Sequence, residues 1–196
     1  MEELFFRAIF SILWLIFFVS LTVVNYSAKG SARRQTTTHE GRLRVTALVL
    51  AAIYFGGALF YISLPSLAMF FSIPLPDWFR LTMVGVAVLG LSWVLWGYWV
   101  LGKNWAPSVS GVRRDTVLVT TGLYGIVRHP IYLGLFISLT ALALMAANLL
   151  VLLPTLALLI VLYASIAEEE VILIDRFGDE YREYKKRTPR LIPKLW

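Results

Sequence analysis

The chain has no cysteine among its 196 residues. That excludes disulfides, thiolate metal sites and cysteine nucleophiles. Histidine is nearly absent: His39 and His129 are the only two, which removes a histidine-rich metal site. Charge is scarce as well. Charged residues make up 15% of the chain, where a soluble domain carries about 25%. Hydrophobic residues make up 59%, so the composition does not fit a soluble globular protein. The net charge of +6 is not accompanied by the basic, aromatic-studded soluble module that nucleic-acid binding requires. In a hydrophobic chain such an excess belongs to loops that face anionic lipid.

What is present is a series of long uncharged runs. A membrane-crossing helix needs about 20 mainly apolar residues. Residues 8–28 form the first run. A secretory signal is the competing reading, but Met1-Glu2-Glu3 with only Arg7 before the core favours a retained helix. The run from Val45 to Pro76 is too long for one span and too short for two, and Gly56, Gly57 and Pro65 are expected to break it. A helix to Leu64 followed by an interfacial stretch through Pro74, Pro76 and Trp78 is expected. The third span ends in Trp93, Trp96, Tyr98 and Trp99, an interfacial aromatic belt. The last run, Pro130 to Ala167, divides at Ala146-Ala147-Asn148 into two short spans. The expected fold is an all-α integral membrane protein. It forms a single membrane domain over 1–196, with five transmembrane helices at about 4–25, 45–64, 81–101, 130–147 and 149–167. Residues 168–196 then form a cytoplasmic C-terminal segment. No internal repeat or low-complexity linker is found.

Five spans place 26–44, 102–129 and 167–196 on one face. Sixteen of the eighteen basic residues lie in those segments, all but Arg7 and Arg80. The positive-inside rule makes that face cytoplasmic. The N-terminus is then outside and the C-terminus inside, as expected in a prokaryotic inner (plasma) membrane.

Three features on that face can do chemistry. The first is Gly102-Lys103-Asn104-Trp105. The second runs from Thr121 to Gly134 and contains Arg128-His129-Pro130-Ile131-Tyr132. Pro130 suits the first position of a helix, so Arg128 and His129 sit at a helix N-terminus, which favours an anion. Arg128 adds a forked cation suited to carboxylate or phosphate. The alternative is an interfacial anchor, with Arg128 on lipid phosphate and Tyr132 in the belt. The third feature is Glu168-Glu169-Glu170 followed by Phe177-Gly178-Asp179-Glu180-Tyr181. Its carboxylates are either solvated at the membrane exit or serve to orient a substrate or take its proton. Leu173, Phe177, Tyr181 and Tyr184 recur at helical spacing, which predicts a cytoplasmic helix folded over the ends of the spans. A dinucleotide fingerprint is absent, because Gly122-x-Tyr124-Gly125 lacks its third glycine and its βαβ frame.

In combination these motifs resemble the isoprenylcysteine carboxyl methyltransferase family and, more distantly, the phospholipid N-methyltransferases. The resemblance covers residues 102–196. It is carried by Gly-x-Tyr-x-x-x-Arg-His-Pro-x-Tyr from Gly122 to Tyr132, by the acidic cluster with Phe177-Gly178-Asp179-Glu180-Tyr181 and Tyr184, and by Arg190-Leu191-Ile192-Pro193. It implies methyl transfer from S-adenosyl-L-methionine, yielding S-adenosyl-L-homocysteine, to a lipophilic acceptor. The cofactor pocket would be capped by the C-terminal segment. By matching motifs, Gly122, Tyr124, His129 and Tyr132 would contact the cofactor, Leu118 and Val119 would line its entrance, and Arg190 and Leu191 would close over it. Arg128 would brace the loop or hold a carboxylate, and Glu169 and Arg128 are the candidate catalytic residues.

The acceptor is expected at Glu169, Ser165 and Trp105. The prenylcysteine enzymes carry an arginine four residues before the key glutamate. Here Glu169 holds the glutamate position and Ser165 the arginine position, so the resemblance does not extend to a prenylcysteine carboxylate. No metal, nucleic-acid or obligate protein partner is expected; membrane lipid is. A membrane sterol-type reductase using NADPH shares an Arg-His-Pro-like element and is the alternative enzyme. A non-catalytic lipid-binding member of the fold is the alternative without chemistry.

Overall fold

The computed structural model describes residues 3–28, 38–104 and 117–193. Among them it is helical, with α1 Glu3–Ala28, α2 Thr38–Ser63, α3 Pro65–Ala68, α4 Asp77–Leu101, α5 Leu123–Ile126, α6 Pro130–Ala146, α7 Leu149–Phe177 and α8 Asp179–Arg187. Four of these, α1, α2, α4 and α7, are long and apolar enough to cross a membrane. The fifth expected span, α6, has 17 residues, about 26 Å of helix at 1.5 Å per residue.

The helix α6 is central. It packs against α1, α4 and α7, while α2 lies along α7. The α4–α6 contact is close because each helix presents a glycine there. A Cβ on Gly90 would stand 2.7 Å from Ser138 N, and one on Gly134 would stand 2.7 Å from Val94 Cγ2. Gly134 therefore leaves room for a neighbouring helix. Such small-residue contacts let helices associate where water supplies no hydrophobic drive between them.

One expectation is corrected in the second run. Gly56 and Gly57 do not break α2, which continues to Ser63. Instead Gly57 lets the Leu150 carbonyl of α7 approach; a Cβ there would lie 2.1 Å from that oxygen. Beyond Pro65 the chain has no long helix until Asp77. It folds through α3 and a 3-10 turn, Met69–Phe71, beneath the α6–α7 turn. That turn is made by Ala147 in the left-handed conformation (φ 48°) and Asn148 as the N-cap of α7, its side chain accepting from Leu150 N at 3.0 Å. Asn148 is fully buried and donates to Ala68 O at 2.8 Å, and Ile73 N donates to Ala147 O at 2.7 Å. The turn thus satisfies polar groups that the membrane could not.

The helix α7 carries on past its membrane-crossing part, as expected where the three glutamates follow the span. The apolar part of α7 runs from Leu149 to Ala167, but the helix continues unbroken through the three glutamates to Phe177. It stops at Gly178, whose φ of +55° strains any residue with a Cβ, and the chain re-enters helix as α8.

Arg7 and Arg80, the two basic residues outside the charged face, meet inside the bundle. Arg80 binds Glu3 at 2.8 Å and donates to Met145 O at 2.8 Å and Ala146 O at 3.4 Å, with its guanidinium 3.8 Å above the Phe6 ring. Arg7 donates to Tyr61 O and, at 3.4 Å, to Pro65 O, and the Tyr61 hydroxyl donates to Glu3 at 2.9 Å. One ionic cluster therefore joins α1, α2, α4 and the last turn of α6.

Candidate active site

The motif Arg128-His129-Pro130 leads into α6 from an extended stretch, because the residue before a proline avoids helical geometry. His129 has φ −123° and ψ 62° and stands at the N-cap of α6. The two residues before Pro130 use their backbones elsewhere. Arg128 N donates to Pro189 O at 2.8 Å, and His129 N donates to Arg190 O at 3.2 Å. The Arg-His-Pro segment and the C-terminal Pro189-Arg190 segment are thus joined backbone to backbone.

Their side chains converge on Glu170. This carboxylate is 2% exposed. Arg128 reaches its Oε1 at 2.6 Å, Arg190 its Oε2 at 2.7 Å and Lys185 its Oε2 at 3.0 Å. His129 Nε2 lies 3.4 Å from Oε1 without an aligned hydrogen bond. Burial alone pushes the Glu170 carboxyl up. The surrounding His129, Arg190, Arg128 and Lys185 outweigh it and hold the group well below the usual carboxylate range. Arg128 is spent in this arrangement. Its remaining donors go to Lys185 O at 3.1 Å and to Thr188 O. The carboxylate it holds is the chain's own, and it braces the loop against α8.

The helix α8 is fastened from the other side. The Tyr184 hydroxyl donates to Tyr124 O at 2.6 Å, and Tyr181 packs edge-on against Tyr184 with ring centres 5.8 Å apart. Burial pushes both hydroxyls above the ordinary tyrosine range, so they stay protonated. Arg190 also meets Tyr163 on α7.

Glu169 points elsewhere. Neighbouring positions on a helix face directions about 100° apart, and Glu169 faces the tyrosines. It lies close to the Tyr132 and Tyr124 hydroxyls, with Tyr98 of α4 near both rings. Ser165 is one turn earlier on the same helix, half-buried, its hydroxyl bonded back to Val161 O at 2.9 Å. Tyr132 packs against the His129 ring at 5.8 Å.

Leu118 and Val119 are half-buried in the stretch leading to α5, Gly122 is exposed at the N-cap of α5 with φ 61°, and Leu191 is half-buried beside Arg190. Trp105 lies outside the described residues. No group of three or more potential metal ligands occurs among the described residues. The sequence reading missed Glu170, whose inward position shows only in the packed helix. Glu170 follows the fully buried Ile166 by four residues, so it lies on the inward stripe of α7.

Comparison with known proteins fits this geometry. Residues 83–175 match the model of the isoprenylcysteine carboxyl methyltransferase (ICMT) family. The nickel-cobalt-cadmium resistance protein of Alcaligenes xylosoxydans xylosoxydans is 31% identical over 119 residues, 60% of this chain and 53% of that protein. Methanethiol S-methyltransferase 1 of Bradyrhizobium diazoefficiens is 49% identical over 71 residues, 36% of this chain and 24% of that enzyme. This chain thus spans about half, or less, of the length of these relatives. The solved structure of a eukaryotic intramembrane Ras methyltransferase, isoprenylcysteine carboxyl methyltransferase, superposes with a TM-score of 0.54 at 25% identity, over 82% of this chain and 55% of that one. The stretch from α4 to α7 that carries the Arg-His-Pro motif and its glutamates is the part of this chain that resembles the isoprenylcysteine carboxyl methyltransferase family.

Proposed function

We propose that the protein transfers a methyl group from S-adenosyl-L-methionine to a lipophilic or small membrane-partitioned acceptor at the cytoplasmic membrane face. The observation that carries this reading is the pairing of Arg128 and His129 with Pro189 and Arg190 around Glu170. It brings the motif segment and the C-terminal segment to one place. The family match over residues 83–175, which includes Arg128, His129 and Glu170, supports methyl transfer as the chemistry.

The residues present suit the cofactor. His129 Nε2 is buried 3.4 Å from Glu170 without an aligned hydrogen bond, Arg190 keeps a third of its side chain exposed, and the half-buried Tyr132 ring packs against His129. A cation and a helix N-terminus favour the carboxylate of an amino-acid group. Gly122, Tyr124, His129 and Tyr132 would hold the cofactor, with Leu118 and Val119 at its entrance and Arg190 and Leu191 closing over it. Ser165, Glu169 and Trp105 would face the acceptor. When bound, the cofactor supplies a methyl group on a sulfonium, already a strong electrophile, so the chain needs no nucleophile of its own. Alignment and exclusion of water are the protein's share.

In the same reading α6 is a fifth, shorter span between two long ones. The C-terminus is cytoplasmic, and α8 caps the pocket. Two experiments test it. Calorimetric titration of the protein in lipid nanodiscs with S-adenosylhomocysteine is expected to show saturable binding, lost in His129→Ala. No binding in either detergent or lipid overturns the assignment. A C-terminal reporter reachable only from outside the cell overturns the topology.

A further inference from the structure

Three hydrogen bonds stitch residues 124–129 to residues 184–190. The Tyr184 hydroxyl donates to Tyr124 O at 2.6 Å, Arg128 N donates to Pro189 O at 2.8 Å, and His129 N donates to Arg190 O at 3.2 Å. The two at the Arg-His end run backbone to backbone and are backed by the ionic cluster around Glu170. The one at the α5 end comes from a side chain. The carbonyls that close a helix have no partner within it, and a buried one left unpaired is costly. In the single turn of α5 the Tyr124 carbonyl is such a group, and Tyr184 is its partner. The turn also packs through apolar groups. Leu123 and Val127 are buried, and Gly122 stands beside the Val100 side chain of α4, where a Cβ would lie at 3.4 Å. Such packing is non-directional and holds α5 against the bundle without fixing its place there. A hydrogen bond is directional and does fix it.

Tyr184 itself is firmly placed. It is 4% exposed, and its carbonyl accepts from Thr188 N at 3.0 Å. The end of α8 is capped by Arg128, which donates to Lys185 O at 3.1 Å and to Thr188 O. Tyr181, one turn earlier, makes the contrast. It is 1% exposed and packs edge-on against Tyr184, yet its hydroxyl is buried with no hydrogen-bond partner among the described residues. We propose that Tyr184 is a positioning residue of the cofactor site, acting through the Tyr124 carbonyl to fix α5, and that Tyr181 serves packing alone. This rests on the methyl-transfer reading above, in which Gly122 and Tyr124 hold the cofactor; Gly122 is the N-cap of α5 and Tyr124 lies within it. Without the Tyr184 hydroxyl the turn samples other placements. The binding-competent fraction of the protein then falls, and the apparent affinity falls with it. A residue that served the fold alone would lower the melting point and leave affinity unchanged well below it.

The test compares Tyr184→Phe and Tyr181→Phe in full-length protein in lipid nanodiscs, titrated with S-adenosylhomocysteine well below the melting point. Tyr184→Phe is expected to raise Kd about tenfold, the equivalent of one buried hydrogen bond at about 1.4 kcal/mol. Tyr181→Phe is expected to bind within about twofold of wild type and to melt no lower, since it removes an unpaired hydroxyl. Replacing the Tyr184 hydroxyl with an amine (p-aminophenylalanine), which donates from the same place, is expected to restore Kd to within about threefold. Hydrogen–deuterium exchange gives a readout that needs no ligand. The Gly125 and Val127 amides, bonded to Gly122 O and Leu123 O, should exchange about fivefold or more faster in Tyr184→Phe, while those of α4 and α6 stay unchanged. An unchanged Kd or unchanged exchange in Tyr184→Phe, an equal loss in Tyr181→Phe, or no rescue by the amine overturns the assignment and leaves the methyl-transfer reading standing. A Tyr184→Phe chain that does not fold overturns it likewise, because Tyr184 then serves the fold alone. Wild-type protein that binds no S-adenosylhomocysteine overturns the methyl-transfer reading, and this assignment with it.

Discussion

Two buried clusters built from the same parts sit at opposite ends of the bundle. At one end Glu3 holds Arg7 and Arg80; at the other Glu170 holds Arg128, Lys185 and Arg190. They are separated by most of α7, which rises about 1.5 Å per residue. The Glu3 cluster joins membrane helices to one another. Both of its arginines are buried and also cap backbone carbonyls where α2 and α6 end. Its glutamate is the exposed member, at 43%. The Glu170 cluster reverses this. Its glutamate is the buried member, at 3%, while Lys185 and Arg190 keep 40% and 34% of their side chains exposed. It joins segments outside the spans to the end of α7. A closed cluster secures the scaffold; a cluster with partly exposed cations also presents charge to a ligand.

The largest effect should come from breaking the buried carboxylate. Glu170→Gln leaves three cations and an imidazole without their counter-charge. It is expected to cost about 3–5 kcal/mol, read as a fall in Tm, and to abolish S-adenosylhomocysteine binding in the calorimeter. Arg80→Met should cost less, about 2–3 kcal/mol, because Glu3 is half exposed and regains water. Its distinguishing result is cofactor-product binding within twofold of wild type; a tenfold loss would mean that the two ends are not independent. Gly57→Ala forces α2 away from the Leu150 carbonyl and is expected to cost about 1–2 kcal/mol, with the melting point falling and binding retained. Gly56→Ala, with nothing within 4 Å of the added carbon, should do the opposite. Replacing a helical glycine there is expected to raise stability by about 0.5 kcal/mol, which differential scanning measurements on the pair of variants would resolve.

The two clusters also differ in how far the sequence revealed them. Arg7 and Arg80 stood out as the two bases outside the charged face, but the carbonyls they bind belong to helices far away in the chain. The Arg-His-Pro motif and the acidic run were both visible. Which of three neighbouring glutamates faces inward was not, because the choice depends on how α7 is rotated against α6 and α8. Distance to Phe177 pointed to Glu169, and the inward stripe from Ile166 points to Glu170. The packed structure gives each a different set of neighbours. Gly56 and Gly57 show the same limit: two identical residues read alike as breaks, yet one faces open space and the other a carbonyl 2.1 Å from where its Cβ would be.

By itself the sequence determined a helical membrane protein, since run length and hydropathy are local properties of the chain. It also determined, through Pro130 and the spacing around it, that Arg128 and His129 stand at a helix start. Only the tertiary structure decided that these two residues pair with Pro189 and Arg190, that Glu170 gathers the cations and that Glu169 is left facing tyrosines. Those outcomes depend on contacts between segments some sixty residues apart and on helix rotations that are settled by packing against every neighbour at once.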